Sequence, residues 1–366
     1  MRTVRMTLAR LAILPAVCLL QLAPQAGALA KPASYSKVTL PQDARMHPDA
    51  ATEWWYYTGH LQDKMGGTYG FELVTFKFQG IKKLDPMSPS NTAYRTDFAI
   101  TDESRGKFYS AVSYLAPSPG KTLMSTDSLS IRMVSATGSV SMQTAPGPDL
   151  AYRIHGALSG GSIDVTVHTA RRPLLEGGTG VVPMGTGGYS YYYSLTNMLT
   201  SGTLNVAGRT VAVTGTTWMD HQWGNWKWSN IRGWDWMAVQ LSNGTSVVLS
   251  NFAGSRITSK SAAASFPNGT QLTTRDSSMV PAHFSWTSPV TKVKYPQGWH
   301  VKVPAIGLDA EVLPTVPNQE VVDPLSLGPT YWEGSGRLTG TLHGKPITGL
   351  TYTELVGYGK RSALEM

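Results

Sequence analysis

The sequence predicts an all-β protein, and three observations predict it. Short apolar or alternating segments recur along the chain, with Gly, Asn-Gly and Pro between them. No amphipathic helix longer than a few turns can be found. An aromatic strand, a tight turn and an apolar return strand occur near Glu53 and again near Trp234, a weak internal repeat. Together these predict two related β domains of sandwich or barrel architecture, residues 45–228 and 229–366.

The first thirty residues read as a secretory signal peptide. Arg2, Arg5 and Arg10 precede an apolar run from Leu11 to Leu22, and Ala28-Leu29-Ala30 supplies a small-x-small cleavage pattern. Lys31 is then the expected mature N-terminus, opening a leader over 31–44, and the protein is expected to be secreted or periplasmic. The alternative, an uncleaved anchor, needs a longer apolar run. No later segment is long and apolar enough to span a membrane. Cleavage removes Cys18, the one cysteine, so stability must come from burial rather than disulfides. It also takes three of 31 basic residues, leaving 28 against 23 acidic ones, about +5. These charges are dispersed, and no Lys/Arg run points to nucleic acid. Trp and Tyr, at 11 and 16, far outnumber the 8 Phe, a surplus suited to cavity walls as well as cores.

From Glu53 to Leu61 runs an aromatic strand, followed by a Gly66-Gly67 turn. Tyr69 to Phe78 alternates cleanly. Further strands are expected at Asp97–Thr101, Lys107–Tyr114, Leu129–Met133, Ser139–Gln143, Ala151–Leu158, Ser162–Thr169, Tyr189–Met198 and Gly202–Val206. The glycine-rich stretch Leu174–Gly188 reads as a loop, either at a site mouth or as a plain surface crossover. The second half opens on Trp234–Leu241, with an Asn243-Gly244 hairpin signal and a return over Val247–Phe252. Strands follow near Gln271–Thr274, His283–Ser285, Gly298–Pro304 and Gly307–Leu313. The end is Tyr331–Gly340 and Gly349–Tyr358, two glycine-punctuated strands carrying the carboxylates Glu333 and Glu354.

The densest chemistry lies in Thr216-Thr217-Trp218-Met219-Asp220-His221-Gln222-Trp223-Gly224-Asn225-Trp226. A carboxylate held among indoles is expected to have a raised pKa and to carry a transferable proton. The competing reading makes Asp220 and His221 satisfied partners that fix a turn between core strands. If the stretch is extended, Thr216, Trp218, Asp220 and Gln222 share one face, and Thr217, Met219, His221 and Trp223 the other. Asp220 beside Trp218 is then the candidate acid, His221 an orienting group and Glu53 the reserve acid. Trp55, Tyr57, Tyr191, Tyr193, Trp218, Trp234 and Trp236 are candidate cavity linings, whose π faces suit a carbocation. The eight histidines form no ligand pair, so no metal is expected. There is no Gly-x-Ser-x-Gly elbow and no nucleotide-binding glycine motif, so no cofactor is expected.

Three stretches carry a resemblance. Glu53-Trp54-Trp55-Tyr56-Tyr57-Thr58-Gly59-His60-Leu61, the Trp218-Met219-Asp220-His221-Gln222-Trp223-Gly224 core, and Tyr331-Trp332-Glu333-Gly334 with Tyr352-Thr353-Glu354-Leu355-Val356-Gly357-Tyr358 occur in this order. The set resembles the carotenoid 1,2-hydratase (hydroxyneurosporene synthase) family and its lipocalin-like relatives, and is similar to fungal pericyclase folds. The resemblance implies two packed lipocalin-like β-barrel domains around an apolar cavity. It implies cofactor-free addition of water to an isoprenoid double bond through a tertiary cation, with Asp220 as proton donor. Export is a departure, because carotenoid biosynthesis belongs with intracellular membranes.

Two functions are therefore expected. One is acid-catalysed hydration, isomerisation or cyclisation of a hydrophobic isoprenoid or polyene. The other is a secreted carrier that binds a lipophilic small molecule unchanged. Nothing in the sequence sets an oligomeric state.

Overall fold

The computed structural model describes residues 38–80, 91–136, 138–147, 150–158, 160–184, 188–254 and 258–362. The expected signal peptide and the leader up to residue 37 lie outside the described residues. The fold is nearly all-β, and the described helical pieces are three-residue 3-10 turns.

The first sheet contains β1 (Thr52–Asp63), β2 (Thr68–Gln79), β3 (Thr92–Asp102), β4 (Lys107–Leu115), β5 (Thr122–Met124), β6 (Ser130–Val134), β7 (Ser139–Thr144), β8 (Leu150–Leu158), β9 (Gly161–Thr169), β10 (Leu174–Leu175), β11 (Val181–Pro183), β12 (Tyr189–Val206) and β13 (Arg209–Asn225). Its order is β4-β3-β2-β1-β13-β12-β9-β8-β7-β6-β5, with β10 and β11 on β12. The second contains β14 (Ile231–Leu241), β15 (Ser246–Gly254), β16 (Thr258–Ser265), β17 (Gln271–Thr274), β18 (Ser278–Thr287), β19 (Lys294–Val303), β20 (Leu308–Pro314), β21 (Glu320–Val321), β22 (Tyr331–Leu342) and β23 (Lys345–Val356). Its order is β17-β16-β15-β14-β23-β22-β20-β19-β18. Both sheets place their first strand between their second and their last, which curls each into a barrel-like body. The echoed hairpins are β1–β2 and β14–β15. Asn243-Gly244 makes the expected turn, with Gly244 at φ 84° and Thr245 N–H on Asn243 Oδ1 at 3.0 Å.

Three elements differ from the expectation. Tyr189–Met198 and Gly202–Val206 are one strand, β12, whose pairing shifts register between Leu195 and Met198. Asn197 there has φ 53°, a left-handed residue that bends the strand without ending it. Leu174–Gly188 is not wholly loop, because β10 and β11 pair with β12. The strand β16 is Ser- and Ala-rich and carries no apolar alternation to announce it; β15 recruits it by backbone pairing.

Each sheet encloses its own core. Trp55, Tyr57, Phe71, Leu73, Tyr193 and Met219 lie in the first, and Met237, Val239, Trp299, Val301 and Trp332 in the second. A third cluster joins the sheets: Tyr56, Val74, Trp218, Trp236, Ala238 and Tyr352, flanked by Trp54, Phe76 and Trp234. The strand β1, and β13 from Thr217 to Gly224, are thus covered on both faces, which is why aromatic residues fall on both faces of β1 at Trp54-Trp55-Tyr56-Tyr57.

Candidate active site

Register decides which side chains meet. In β1/β13, Tyr56 lies opposite Asp220 and Trp54 opposite Gln222; in β12/β13, Tyr192 lies opposite Gln222 and Ser194 opposite Asp220. Directly opposed residues in an antiparallel pair share a face. These six therefore project toward the second sheet. There, Trp236 lies opposite Glu354 across β14/β23, and Glu354 opposite Glu333 across β22/β23. Each sheet thus presents an aromatic first strand beside a carboxylate on its last strand.

Between them lies a cavity of about 120 Å³, walled by Trp54, Tyr56, Phe76, Tyr192, Trp228, Trp234, Trp236 and Phe252. Met184, Val182 and Pro183 come from the glycine-rich stretch, which therefore borders the site. Two carboxylates face this space, Asp220 from the first sheet and Glu354 from the second.

Asp220 is buried and accepts three hydrogen bonds. Ser194 Oγ donates to Oδ1 at 2.6 Å, Trp218 Nε1 to Oδ1 at 2.6 Å and Tyr192 OH to Oδ2 at 2.5 Å. Trp236 Nε1 donates in turn to Tyr192 OH at 3.2 Å. Burial raises the Asp220 pKa to about 6, against the pull of the three donors. Glu354 accepts one bond, from Trp234 Nε1 at 2.7 Å, and burial raises it to about 7. Behind them, Tyr56 OH donates to Glu333 Oε1 at 2.5 Å, bridging the sheets. Burial and neighbouring acids push Glu333 well above the carboxylate range.

The opposite face of β1 and β13 carries a different cluster. Glu53 accepts His47 N–H at 2.9 Å, His47 Nδ1 at 2.7 Å and His221 Nε2 at 3.0 Å, with Lys77 Nζ 3.7 Å away. Burial would raise Glu53, but bonds from His221 and His47 outweigh it and hold it below its ordinary value. Lys77 also donates to the carbonyls of His47 and Ala50, at 2.6 and 2.8 Å, and Trp55 Nε1 to Ala44 at 3.0 Å. These bonds strap residues 44–50 across one end of the first barrel. His47, Glu53 and His221 place three ligand-type atoms within 4.8 Å of one another, yet they already satisfy each other beside the Lys77 ammonium.

The sequence-derived site residues thus divide. Asp220, Trp218, Trp234 and Trp236 belong to the inter-sheet site, though Trp218 backs Asp220 rather than walling the cavity. Glu53, His221, Trp55, Tyr57 and Tyr193 face the first core, with Tyr191 packed against it. Their immediate neighbours Trp54, Tyr56 and Tyr192 reach the cavity instead. Asp220 and His221 sit mid-strand in β13 rather than at a turn. Tyr192, Ser194 and Glu354 were missed as site residues. Only Glu354 left a sequence signal, a carboxylate in an apolar strand.

This arrangement, two curled sheets meeting across an aromatic and acidic seam, defines a two-barrel class of protein, and the comparisons place the chain within it. The chain belongs to the AttH-like family, whose model matches residues 31–358 and so spans the three motif stretches. A protein assigned as an AttH from Nitrosomonas europaea is 25% identical, with a TM-score of 0.73 over 88% of this chain and 98% of that one. Kievitone hydratase from Nectria haematococca shares the fold at 18% identity and a TM-score of 0.71, over 87% of this chain and 93% of that one. The dehydratase asqC of Emericella nidulans is 24% identical over 206 residues, 53% of this chain and 58% of that enzyme's length.

Proposed function

We propose that this protein is a hydro-lyase, adding water to or eliminating it from a hydrophobic, isoprenoid-like small molecule in the inter-sheet cavity. One observation carries the reading. Two buried carboxylates, from different sheets, face one aromatic cavity with pKa values raised to about 6 and about 7. Acid–base chemistry at neutral pH needs groups poised in that range. The names of the hydratase and dehydratase relatives support the same reaction class.

The hydrogen bonds favour a division of labour. Asp220, with three donors on its oxygens, is the better carboxylate, and Glu354, with one, the better acid. This reverses the expectation that Asp220 donates the proton. In hydration, the Glu354 O–H protonates the alkene carbon, leaving a tertiary cation against the indole and phenol faces. Water attacks the cation, and Asp220 takes the proton that water releases. Elimination runs the same steps backward, and exchange with solvent returns the proton from Asp220 to Glu354 between turnovers, so the balance closes without a cofactor.

The test is incubation of purified protein with terpenols and isoprenoid alkenes in H₂¹⁸O, followed by mass spectrometry. Incorporation of ¹⁸O into a tertiary alcohol is expected, with turnover falling by about 10²–10⁴-fold in Glu354→Gln. Tryptophan quenching by these compounds without conversion would favour the carrier.

A further inference from the structure

The hydroxyl of Ser194 has one proton and two carboxyl neighbours. It lies 2.6 Å from Asp220 Oδ1 and 3.2 Å from Glu176 Oε1, and all three residues are buried. A serine hydroxyl can donate once and can accept from others. Two ionised carboxylates cannot both receive that one proton, whereas a proton on one of them would satisfy the pair. Asp220 already receives Trp218 and Tyr192, donors that cannot be shared with a carboxylic O–H on the same atoms at no cost. Among the described residues Glu176 has no other side-chain hydrogen-bond partner, and it is the natural bearer.

The glycine-rich stretch delivers Glu176 to this position. Residues Glu176–Gly178 form a 3-10 turn, and Gly177 at φ 64° and Gly180 at φ 76° allow the chain to reverse there. Gly180 N–H donates to Glu176 O at 2.8 Å, and Tyr192 N–H to Gly180 O at 2.9 Å, fixing the turn against β12. Among the described residues, the elements packed against Glu176 bring no buried cation to hold it ionised. The strand β12 brings Tyr192 and Ser194, and β13 brings Asp220; β10, β11 and β17 bring nothing titratable, and β16 brings only the exposed Lys260.

We propose that Glu176 is a positioning residue: its protonated carboxyl donates to Ser194 Oγ and so commits the Ser194 proton to Asp220. Burial, reinforced by the nearby Asp220 charge, raises Glu176 to about 8 despite the Ser194 bond, in keeping with this. The same device occurs at the other end of the seam. Tyr331 OH lies 2.6 Å from Glu72 and 2.7 Å from Asp97, and Asp97 is held by Arg95 at 2.8 and 2.7 Å. There too a hydroxyl lies between two buried carboxyls, one held by donors of its own, here the Arg95 guanidinium, and one that burial pushes well above the carboxylate range. The inference gives Glu176 a part in the hydro-lyase reading and rests on that reading for its catalytic meaning, but its test needs no substrate.

The Trp218 indole N–H donates to the same Asp220 oxygen as Ser194, so its ¹⁵N–¹H resonance, assigned by loss in Trp218→Phe, reports the chain. Besides the Glu354 step near pH 7, which Glu354→Gln removes, titration of the unmodified protein should show two steps, one near pH 6 from Asp220 and one near pH 8 from Glu176. In Glu176→Gln the amide still donates to Ser194, so the lower step should remain and the upper should vanish. Absence of the step near pH 8 in the unmodified protein overturns the proposal without any variant. Persistence of the upper step in Glu176→Gln also overturns it. Neither result touches the ¹⁸O experiment, so the two readings fail separately.

Discussion

Glu53 and Asp220 occupy neighbouring strands, are both buried and are both surrounded by aromatic rings, yet their environments do opposite things. Glu53 faces the first core and meets His47, His221 and Lys77. Asp220 faces the second sheet and meets only neutral donors, two hydroxyls and an indole. The first is held below its ordinary pKa and the second raised above it. Burial is common to both, so the charge of the partners sets the sign. A carboxylate locked ionised by cations can brace a barrel end. One poised near neutrality by neutral donors can exchange protons.

The comparison breaks most visibly under paired amide substitutions. Asp220→Asn should lower turnover by about 10²–10⁴-fold without lowering the denaturation midpoint, because its partners can still hydrogen-bond to the amide. Glu53→Gln should do the reverse. It leaves the buried His47, His221 and Lys77 cluster without its anion, which costs about 3–5 kcal/mol of stability. Urea unfolding and kinetics on both proteins check the pair; a Glu53→Gln protein of normal stability would remove the contrast.

The two clusters should also pull stability in opposite directions with pH. Glu354 and Asp220 rise from ordinary values of 4.5 and 3.8 to about 7 and about 6. Their contribution is complete below the ordinary values and is lost as pH rises through the folded ones. Glu53 is depressed, so its contribution is present above 4.5 and is lost as pH falls through its folded value. Glu354→Gln should therefore gain stability relative to the parent between pH 4.5 and about 7. The deficit of Glu53→Gln should shrink below pH 4.5. Denaturant midpoints measured from pH 4 to 8 read both slopes.

The sequence made the all-β architecture legible because alternation, Asn243-Gly244 and the scattered glycines are local signals. It made Asp220 legible because a carboxylate between Trp218 and Trp223 is chemically conspicuous. It also separated the faces of Asp220 and His221, since strand parity within one segment is local. Which face of β1 and β12 accompanies Asp220 is not local. For β1 that depends on the register Tyr56↔Asp220, set by strands far apart in the chain, and for β12 on the register shift between Leu195 and Met198, which brings Ser194 opposite Asp220. A one-residue step exchanges every side chain between faces. Sequence alone therefore points to Trp55, Tyr57, Tyr191 and Tyr193, whereas the register brings Trp54, Tyr56 and Tyr192 to the cavity. Glu354 needed still more, the packing of one sheet on the other.

The smallest effect expected is the most specific test of how neutral donors tune the seam. Trp234 Nε1 gives Glu354 its one side-chain hydrogen bond, and that bond favours the ionised form. Trp234→Phe keeps an aromatic wall and removes the donor. A hydrogen bond to a charged group is worth about 1.5–3 kcal/mol, and one pKa unit is about 1.4 kcal/mol. The Glu354 midpoint should therefore rise by about one to two units. If Glu354 is the acid, the alkaline limb of the pH–rate profile should move up with it, while neutral-pH turnover changes by no more than about twofold. The fall in stability with rising pH should move by the same interval, a readout that needs no substrate. Trp286→Phe, at the edge of the second core and away from the cavity, should move neither. An alkaline limb that stays in place while the stability curve moves would show that Glu354 titrates as described but is not the acid. The proton donor would then have to be sought along the seam, with Glu333 behind Tyr56 next in line.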